Sequence, residues 1–576
     1  MAEKILSPGV FQNESDQSLV QRGIQGTATA IVGPTVLGQP LIPTYVTSYS
    51  EFVSKFGETF KSGSYYYEYL TSLAAKDFFN NGGQTLLVTK VVVSGSTNLS
   101  TYASATVRSI ENAASSSFQL ETISWGDVMN NTSSLLASGA LASGSSTNIR
   151  WEITNVNSGS GVFNLAVRAG NDNLAQLNYI ETWPNLSLDP ALPNYISRVI
   201  GDIKPVYRVD TDGSPYIDTT GSYANASQYI RVKSVTTPQV DSIDNNGNFK
   251  ATQYSGSLPF IGSGSYGGSF SGGVAATSIA QLMNENITTS NVQGFASDDY
   301  KIAFALLANK DEYQFNVLLA PGVGLDNAAS AYAISTCEGR GDAIAVVDTK
   351  VYGQTVTAAA SAAAGQSSNY AATYWPWVQL YSSALGKAVW SPASTVMGGV
   401  FAFNDQVGAE WFAPAGLNRG GVPSVLKAER KLTQNDRDVL YQSNVNPLAT
   451  FPGEGVVVFG QKTLQRKATA LDRVNVRRLL IALKGYIGQV ANNLVFEQNT
   501  NVTRNRFLSQ VNPYLESVVQ RQGLYAYKVV MDDTNNTPDV IDRNQLVGQI
   551  YIQPTKTAEF IILNFNVLPT GATFPA

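Results

Sequence analysis

A long stretch from Ser94 to Ser297, rich in Ser, Asn, Gly and Thr, interrupts the sequence and limits what the chain can fold into. On both sides of it, apolar segments with a strand pattern alternate with segments whose apolar residues recur at helical spacing. That alternation is typical of α/β domains. At 576 residues the chain also exceeds the roughly 250–300 residues that one hydrophobic core usually spans. The sequence therefore predicts several domains, with a β-rich insertion projecting from an α/β body.

The first 93 residues predict the order strand, helix, helix, strand. Gly26–Pro34 alternates small and apolar residues up to a Gly-Pro break, and Thr85–Val93 is a largely apolar run, so both are predicted strands. Ser50–Phe56 predicts a short helix with a serine N-cap. Tyr65–Phe79 predicts a longer helix, which the Asn80–Gly83 run ends.

Short strands separated by turn clusters are predicted inside the insertion, and strand–helix alternation resumes near Asp298. The predicted insertion strands are Ser117–Ile123, Ile149–Val156, Val162–Ala169 and Tyr229–Val235. Beyond the insertion, Phe315–Leu319 and Ala343–Asp348 predict buried strands, while Ala329–Glu338 and Ala358–Ala364 predict helices. We expect these elements to form a mostly parallel sheet with right-handed crossovers.

The last part of the chain predicts two long amphipathic helices, Leu471–Leu494 and Thr503–Gln522. Two strands, Leu546–Gln553 and Ala558–Leu568, follow them. The final strand is long and apolar. A strand of that kind promotes aggregation unless a partner covers its edge.

Charge is unevenly distributed along the chain. Residues 419–576 hold 18 Lys and Arg against 12 Asp and Glu, a formal charge of +6, whereas the first 418 residues carry −11. The asymmetry indicates either a basic surface that meets an acidic partner or ordinary solvated helix faces.

The residue inventory argues against most enzyme classes. The sequence has no histidine and a single cysteine, Cys337, which excludes Ser-His-Asp triads, Cys-His pairs and cysteine-based zinc sites. We expect Cys337 to be a small buried residue. We also expect no catalytic site, no cofactor and no metal. The N-terminus lacks a signal-peptide core and no run approaches the ~18 apolar residues of a membrane helix, so we expect a cytoplasmic protein.

Several motifs imitate functional sites. Gly455–Thr463 (GVVVFGQKT) looks like a phosphate-binding P-loop, but an extra Gln461 shifts the lysine and the residues between the glycines form a strand. Gly262–Gly267 fits the pattern GxGxxG but continues into another Gly/Ser run, so we expect a loop. Arg340–Asp342 (RGD) is expected to be a structural turn. Asp210 and Asp212 leave open a weak cation site in the insertion.

A series of short segments along the chain resembles one protein family. The segments are Ser7–Val10 (SPGV), Phe78–Gly83 (FFNNGG), Ala320–Gly322 (APG), Arg340–Asp342 (RGD), Tyr374–Val378 (YWPWV), Pro392–Gly399, Ala413–Gly416 (APAG), Asn446-Pro447, Gly460–Leu464 (GQKTL) and Val476–Arg478 (VRR). Their order and spacing resemble the contractile tail sheath proteins of myovirus-type bacteriophages. More distantly, they are similar to the sheaths of R-type pyocins and other contractile injection systems.

The resemblance implies an α+β or α/β multidomain fold. We expect an N-terminal arm with part of an inner domain over 1–30, a middle domain over 31–93 and 298–418, the protruding β-rich insertion over 94–297, and an inner domain with a C-terminal arm over 419–576. In this family both arms add strands to the sheets of neighbouring subunits. The exchanged segments would be Asp16–Val32 and Ala558–Leu568. The arm residues that we single out are Ser18, Val20, Ile24, Phe560, Ile562 and Phe565.

The resemblance also implies a function. Identical subunits would form hexameric helical rings around a tail tube and contract to drive the tube through the host envelope. Implied partners are other sheath subunits, the tail tube protein, and baseplate and tail terminator or neck proteins, with no direct contact to nucleic acid or membrane. The implied location is the virion tail, assembled in the bacterial cytoplasm. The tube-facing candidates are Arg504, Arg506, Arg521, Arg477, Arg478 and Lys484.

Three alternatives remain open. The chain could form the sheath of a non-phage contractile injection system. A secreted surface-layer or adhesin subunit would explain the Ser/Asn/Gly-rich stretch but needs an export signal. A P-loop enzyme is disfavoured by the spacing of its glycine and lysine.

Overall fold

A computed structural model describes residues 28–93, 102–109, 116–211, 213, 215–236, 246, 258–261, 268–274 and 281–559. The predicted arm residues Ser18, Val20, Ile24, Phe560, Ile562 and Phe565 lie outside the described residues. Asp212 and the Gly262–Gly267 motif also lie outside them.

The N-terminal part supplies three strands of the main sheet and the first helices. Its elements are β1 (Ala28–Gly33), β2 (Thr44–Val46), α1 (Tyr49–Phe56), β3 (Thr59–Ser62), β4 (Tyr65–Glu68), α2 (Leu70–Asn80) and β5 (Leu86–Lys90). Ser48, rather than Ser50, caps α1 by accepting a hydrogen bond from the Glu51 amide at 3.1 Å. The predicted helix from Tyr65 is wrong over its first residues, because the tyrosine run forms β4 in a hairpin with β3. Aromatic residues favour such a pleated surface.

The insertion is rich in strands, as predicted, and its strands pair antiparallel. Its elements are β6 (Tyr102–Arg108), β7 (Ser116–Trp125), β8 (Ile149–Asn157), β9 (Val162–Ala169), β10 (Tyr179–Ser187), α3 (Ile196–Ile200), β11 (Lys204–Val209), β12 (Pro215–Thr220) and β13 (Ile230–Val235). They form two three-stranded sheets, β13-β7-β6 and β10-β9-β8, and the hairpin β11-β12. Phe118 and Phe163 stack with ring centroids 5.6 Å apart in a hydrophobic core that belongs to the insertion alone.

The second α/β part begins with a small hairpin and returns to the main sheet. Its elements are β14 (Asn291–Val292), β15 (Phe295–Ala296), α4 (Ser297–Leu306), β16 (Phe315–Gly324), α5 (Ala328–Arg340), β17 (Ile344–Asp348), α6 (Val356–Ala364), β18 (Ala371–Trp375), β19 (Val378–Ser382), β20 (Lys387–Ser391), α7 (Ser394–Val407), β21 (Val425–Ala428), α8 (Gln434–Gln442), β22 (Asn446–Phe451) and β23 (Gly455–Val458). Gly341 closes α5 in the left-handed conformation at φ 72°, and Arg340 pairs with Asp342 at 2.9 Å, so the RGD motif is a structural turn.

The main sheet has eight strands in the order β2-β5-β1-β16-β17-β18-β22-β23. The strands from β5 to β22 in that order pair in parallel, and the two outermost strands are antiparallel. Helices α2 and α7 pack on one face, and α4 and α5 on the other. The sheet is therefore the mixed, largely parallel one that the sequence predicts.

The predicted exchanged arm, Asp16–Val32, is wrong over its last residues, which belong to strand β1. Its residues Ala28–Gly33 are fully enclosed, with β5 on one edge and β16 on the other. Both hydrogen-bonding edges are thus satisfied within the chain. Residues 28–32 are not free to pair with another subunit, and any exchange on this side is restricted to residues before Ala28.

The carboxyl ends of the central strands carry the crevice in which open α/β sheets usually bind ligands. Here several polar side chains at these ends bond to other parts of the chain. Gln293, from the turn between β14 and β15, accepts a hydrogen bond from the Leu70 amide at 2.9 Å and so caps α2. Asp348 accepts from the Gly322 amide and from the Ser394 amide and hydroxyl at 2.6–2.9 Å.

The C-terminal unit has its own core next to the main sheet. Its elements are α9 (Val474–Asn492), α10 (Asn501–Gln520), β24 (Leu524–Val530), α11 (Pro538–Asp542) and β25 (Gln549–Pro554). Trp411, which follows α7, packs into this core. The predicted boundary at residue 418 cuts through the main sheet, since β22 and β23 pair with it. In the described part of the chain, no helix is both long and apolar enough to cross a membrane.

Candidate assembly site

Helices α9 and α10 form an antiparallel hairpin, and it carries all six predicted tube-facing cations. The inner faces of the two helices pack through Leu479, Leu483, Val511, Leu515 and Val518. Residues 493–500 connect the helices at the tip of the hairpin. The opposite end, which we call the root, rests on the segment after α7.

Arg477 and Arg478 are buried at the root and do not face solvent. The Arg478 guanidinium donates two hydrogen bonds to the Asp405 carboxylate, at 2.8 and 2.5 Å. Arg477 donates to Asn369 Oδ1 at 2.6 Å and lies over the Tyr370 ring, 4.0 Å from its centroid. Both side chains are buried, at 3% and 2% exposure, so neither presents its charge to an external tube.

Arg504 is buried at the tip of the hairpin. Its guanidinium donates to Asn499 Oδ1 at 2.8 Å, to Asn501 Oδ1 at 3.1 Å and to the Asp533 carboxylate. These bonds tie the connection between the helices to the segment that follows β24. The structure therefore corrects the prediction for Arg504, because its positive charge is already neutralised inside the chain.

Lys484, Arg506 and Arg521 are exposed, in contrast to the buried three. Lys484 Nζ lies 3.4 Å from the Tyr370 hydroxyl. The Arg521 guanidinium lies over the Trp411 ring, 4.9 Å from its centroid, and donates to the Gly408 carbonyl at 3.2 Å. Of the six predicted residues, these three keep their charge at the surface.

A cluster that the sequence did not predict holds the start of the C-terminal segment. We call it the arm root: Tyr441, Gln461, Arg473 and Glu559. The Glu559 carboxylate accepts hydrogen bonds from Arg473 at 2.7 and 3.0 Å, from the Tyr441 hydroxyl at 2.5 Å and from Gln461 Nε2 at 3.1 Å. Gln461 also donates to the Thr557 hydroxyl at 2.6 Å. The segment is thereby fixed against the main sheet just before residue 560.

The electrostatics of the arm root favour an ionised Glu559. Burial alone would raise the pKa of Glu559, but the hydrogen bonds from Arg473 and Tyr441 outweigh it and hold this pKa below its ordinary value. Burial, followed by the neighbouring Arg473, lowers the pKa of Lys462. The ion pair between Arg473 and Glu559 is thus the strongest charged contact of the cluster.

The P-loop-like motif belongs to this cluster, and its lysine and threonine form hydrogen bonds to other parts of the chain. Lys462 Nζ donates to the Tyr441 carbonyl at 2.8 Å, and its amide donates to Asn446 Oδ1 at 2.6 Å. The Thr463 hydroxyl donates to the Leu471 carbonyl at 3.0 Å. The GQKT residues connect β23, the start of α9 and the C-terminal segment.

The hairpin sheet β24-β25 lies next to the arm root. Its two strands pair with each other, and within the described residues neither outer edge has a further strand. One face of the sheet packs against α10, and Leu524 is buried in the core of this unit. Tyr525 and Tyr551 on this sheet are both more than half exposed. The unit thus offers two free strand edges close to where the C-terminal segment begins.

Among the residues that the structure describes, no group of three or more His, Cys, Asp or Glu side chains is placed to bind a metal ion. Cys337 is fully buried, as predicted, and burial raises its pKa above the ordinary value. The C-terminal unit thus presents strand edges, ion pairs and helices.

Known proteins match the second half of the chain. Residues 293–464 match the family model of the phage tail sheath protein central domain, and residues 466–568 match that of the phage tail sheath C-terminal domain. A tail sheath protein of Vibrio phage KVP40 is 42% identical over 185 residues, covering 32% of this chain and 28% of that protein. A tail sheath protein of Enterobacteria phage T4 matches with the same identity and coverage. The matches span less than a third of these relatives' own length.

The fold also has a solved counterpart. The crystal structure of a sheath tail protein from Listeria innocua superposes with a TM-score of 0.51 at 11% identity, covering 92% of this chain and 95% of that protein. At this identity the likeness concerns the fold alone. Over residues 293–568, the chain matches both domain models of the phage tail sheath family.

Proposed function

We propose that this chain is the structural subunit of a contractile tail sheath, and that it polymerises as helical rings around a tail tube. Its place would be the virion tail, with assembly in the bacterial cytoplasm. The relatives named above are tail sheath proteins, which supports this assignment. Its work is mechanical, and no bond-making chemistry is part of it.

The single observation that carries the proposal is the hairpin sheet β24-β25 with its two free edges beside the arm root. A strand from a neighbouring subunit adds to such an edge by β-augmentation. Each backbone hydrogen bond gained contributes about 0.5–1.5 kcal/mol net. Residues 1–27 and 560–576 are the segments that would supply the added strands.

The arm root determines which residues of the C-terminal segment take part in this exchange. Glu559 fixes the segment to its own subunit, so that only the residues beyond it reach to the neighbour. Subunits linked in this way stay connected while their bodies rotate. Contraction is then a transition between two packings of the same lattice, and the free energy comes from the difference in buried contact.

The tail tube is the proposed partner on the inside of the lattice, with baseplate and terminator proteins at the two ends. Lys484 and Arg506 are our candidates for the tube contact, since both are exposed and neither forms an ion pair within the described residues. Pairs between exposed charges are weak and screened by salt, so they would hold a tube reversibly.

Electron microscopy of the purified full chain tests the proposal. We expect striated hollow polymers from the complete protein, and none from a variant that lacks residues 560–576. A variant with Tyr525→Ala on the hairpin sheet is the control for general loss of folding, because it keeps both backbone edges. Polymers that form equally well without residues 560–576 would contradict the exchange, and monodisperse full-length protein at all concentrations would contradict the sheath.

A further inference from the structure

Phe496, at the tip of the α9–α10 hairpin, is the most exposed large apolar residue of the described chain. Its side chain is 100% exposed, and its backbone has φ 72°, in the left-handed region that bulky residues rarely adopt. Val495 and Val502 on the same tip are 58% and 79% exposed. An apolar knob held in a strained conformation is a marker of function.

The tip is rigid because the buried Arg504 ties it down. Arg504 binds Asn499 near the end of the connection and Asn501 at the start of α10, and Asn499 Nδ2 also donates to the Gln545 carbonyl at 2.8 Å. The backbone turn is closed by the Glu497 amide, which donates to the Leu494 carbonyl at 3.1 Å. A knob organised in this way loses little conformational entropy on docking.

The root of the hairpin carries an apolar surface of its own. Val407 and Leu417 are 61% and 52% exposed there. Arg419 lies over the ring of the half-buried Phe412, 4.9 Å from its centroid. Arg521 lies beside this surface through its bond to the Gly408 carbonyl. We call these residues the root patch.

The charges at the two ends are complementary. Two exposed acidic residues, Glu497 and Asp532, lie near the tip, and the third, Asp533, pairs with Arg504. The charged residues of the root patch are the two arginines. Helix α10 has 20 residues and therefore separates tip from patch by about 30 Å. One rigid hairpin thus carries an apolar, acidic end and an apolar, basic end.

We propose that the hairpin tip of one copy docks onto the root patch of the next copy, with Phe496 as the anchor. The contact joins two different surfaces of identical chains, so it is head-to-tail, and repetition yields closed rings or open helices. The tip is too far from the root patch of its own chain to fold back onto it. This inference rests on the proposed sheath function, and it adds a second, arm-independent contact between subunits.

Site-directed cross-linking tests the contact in the full-length polymer. Gln498→Cys places a thiol beside Phe496, and Asn418→Cys places one beside Leu417; both native residues are exposed. The native Cys337 is fully buried and stays silent. Polymers of the double variant are treated with a short bismaleimide and resolved on denaturing gels. The matched control combines Gln498→Cys with Ser509→Cys, an exposed position in the middle of α10.

We expect a ladder of dimers, trimers and higher species from the double variant only. Adding Phe496→Ser to it should reduce the ladder about tenfold or more, as loss of an anchor residue does. Polymers that form normally but give no ladder would overturn the docking and leave the sheath function standing. Cross-linked dimers from Gln498→Cys alone would show tip-to-tip contact and also overturn it. A chain that forms no polymers at all would overturn the sheath function, and the docking with it.

Discussion

Asp77, on α2, is a buried carboxyl group without a cation beside it. The Ser424 hydroxyl donates to its Oδ1 at 2.5 Å, while its Oδ2 has no hydrogen-bond partner. Burial raises the pKa of Asp77 from 3.8 to about 7, although the hydrogen bonds from Ser424 and Asn81 act in the opposite direction. The folded protein therefore keeps this carboxyl protonated at pH values where the unfolded chain has already released the proton.

Replacing Asp77 with Asn should remove a pH dependence of stability. In the wild type the folded-state pKa lies above the unfolded one, so the free energy of unfolding falls as pH rises from about 4 to about 7 and then levels off. The loss is on the order of a few kcal/mol. Thermal unfolding midpoints at pH 5 and pH 8 should differ less in Asp77→Asn than in the wild type. The exposed Asp311→Asn is the control, and an equal pH slope in all three proteins would contradict the role of Asp77.

Weakening the arm root should free the C-terminal segment. In Glu559→Gln the ion pair with Arg473 is lost, and we expect limited proteolysis to cleave near the C-terminus several-fold faster while the rest of the chain stays intact. Because the pKa of Glu559 is lowered, its stabilisation is present above the ordinary glutamate range and is lost as pH falls through the lowered pKa. Wild-type protein should therefore resemble the variant in acid. The exposed Glu454→Gln should cleave at the wild-type rate, and protection unchanged in Glu559→Gln would exclude the cluster as an anchor.

At the residue level, the burial of two predicted tube-facing arginines follows from spacing. Arg478 is four residues after Val474 and three before Ile481, so it lies on the apolar stripe of α9. Arg504 is three residues before the buried Phe507, so it lies on the apolar stripe of α10. The arm root could not be read from the sequence, because Tyr441, Arg473 and Glu559 meet only through tertiary packing.

At the scale of secondary-structure elements, helices α2 and α7 pack closely together. A glycine in α7, Gly399, permits this close approach. A Cβ atom added at Gly399 of α7 would lie 2.3 Å from Asp77 Oδ2 and 3.0 Å from the Asp77 carbonyl oxygen. The carbonyl oxygen cannot move freely, since it is part of the α2 backbone. The close packing of α7 on α2 therefore depends on the missing side chain at Gly399.

A pair of glycine substitutions tests the helix contact. Gly399→Ala should lower the free energy of unfolding by about 1–3 kcal/mol, as overpacking does. Gly339→Ala lies in α5, where an added Cβ atom meets nothing within 4 Å, and it should raise stability by about 0.5–1 kcal/mol. Denaturant midpoints of both variants measure these two changes in stability. A shift in the same direction for both would show that helix propensity, and not packing, governs the two positions.

Element types were predictable wherever one periodicity dominated. The strands β1, β5 and β17 and the helices α5, α9 and α10 lie within a few residues of their predicted ranges. The tyrosine run of β4 was not predictable as a strand, because an aromatic run fits helix spacing and a half-buried strand equally well. Its pairing with β3 decides between the two, and pairing is not visible in a local window.

Three separate hydrophobic cores, in the main sheet, the insertion and the C-terminal unit, organise the described part of the molecule. The insertion core around Phe118 is distinct from the main core, whereas Leu282, Val292 and Phe295 pack into the main core. The predicted insertion boundary at Ser297 therefore lies too far along the chain. Tyr207 and Ile217, on the β11-β12 hairpin, pack against the main core and mark the contact between the two bodies.

Two deletions should separate these boundaries. Replacing residues 94–280 with a flexible linker removes the insertion core but spares the β14-β15 hairpin, so we expect soluble protein that still forms polymers, with a modest loss of stability. Deleting residues 94–297 also removes Gln293, Val292 and Phe295, and it should give insoluble protein. Solubility and electron microscopy distinguish the two. Equal behaviour of both deletions would mean that the hairpin is dispensable.

The α/β class, the β-rich insertion and the family were predictable, because they depend on order and composition along the chain. The boundary between the main sheet and the C-terminal unit was not predictable. The helix α8 and the strands β22 and β23 look like the start of a new domain in sequence, yet they complete the main sheet. Sheet membership depends on which edges meet in space, and a sequence window contains no information on that.

The position of Glu559 has a mechanical consequence. A pull on the residues beyond it reaches Arg473 at the start of α9, and Tyr441 and Gln461 beside the edge of the main sheet, before it reaches the hairpin sheet. Under the proposed arm exchange, force would therefore enter the subunit at the arm root, where α9 meets the edge of the main sheet. A load applied there would bypass the pairing of β25 with β24.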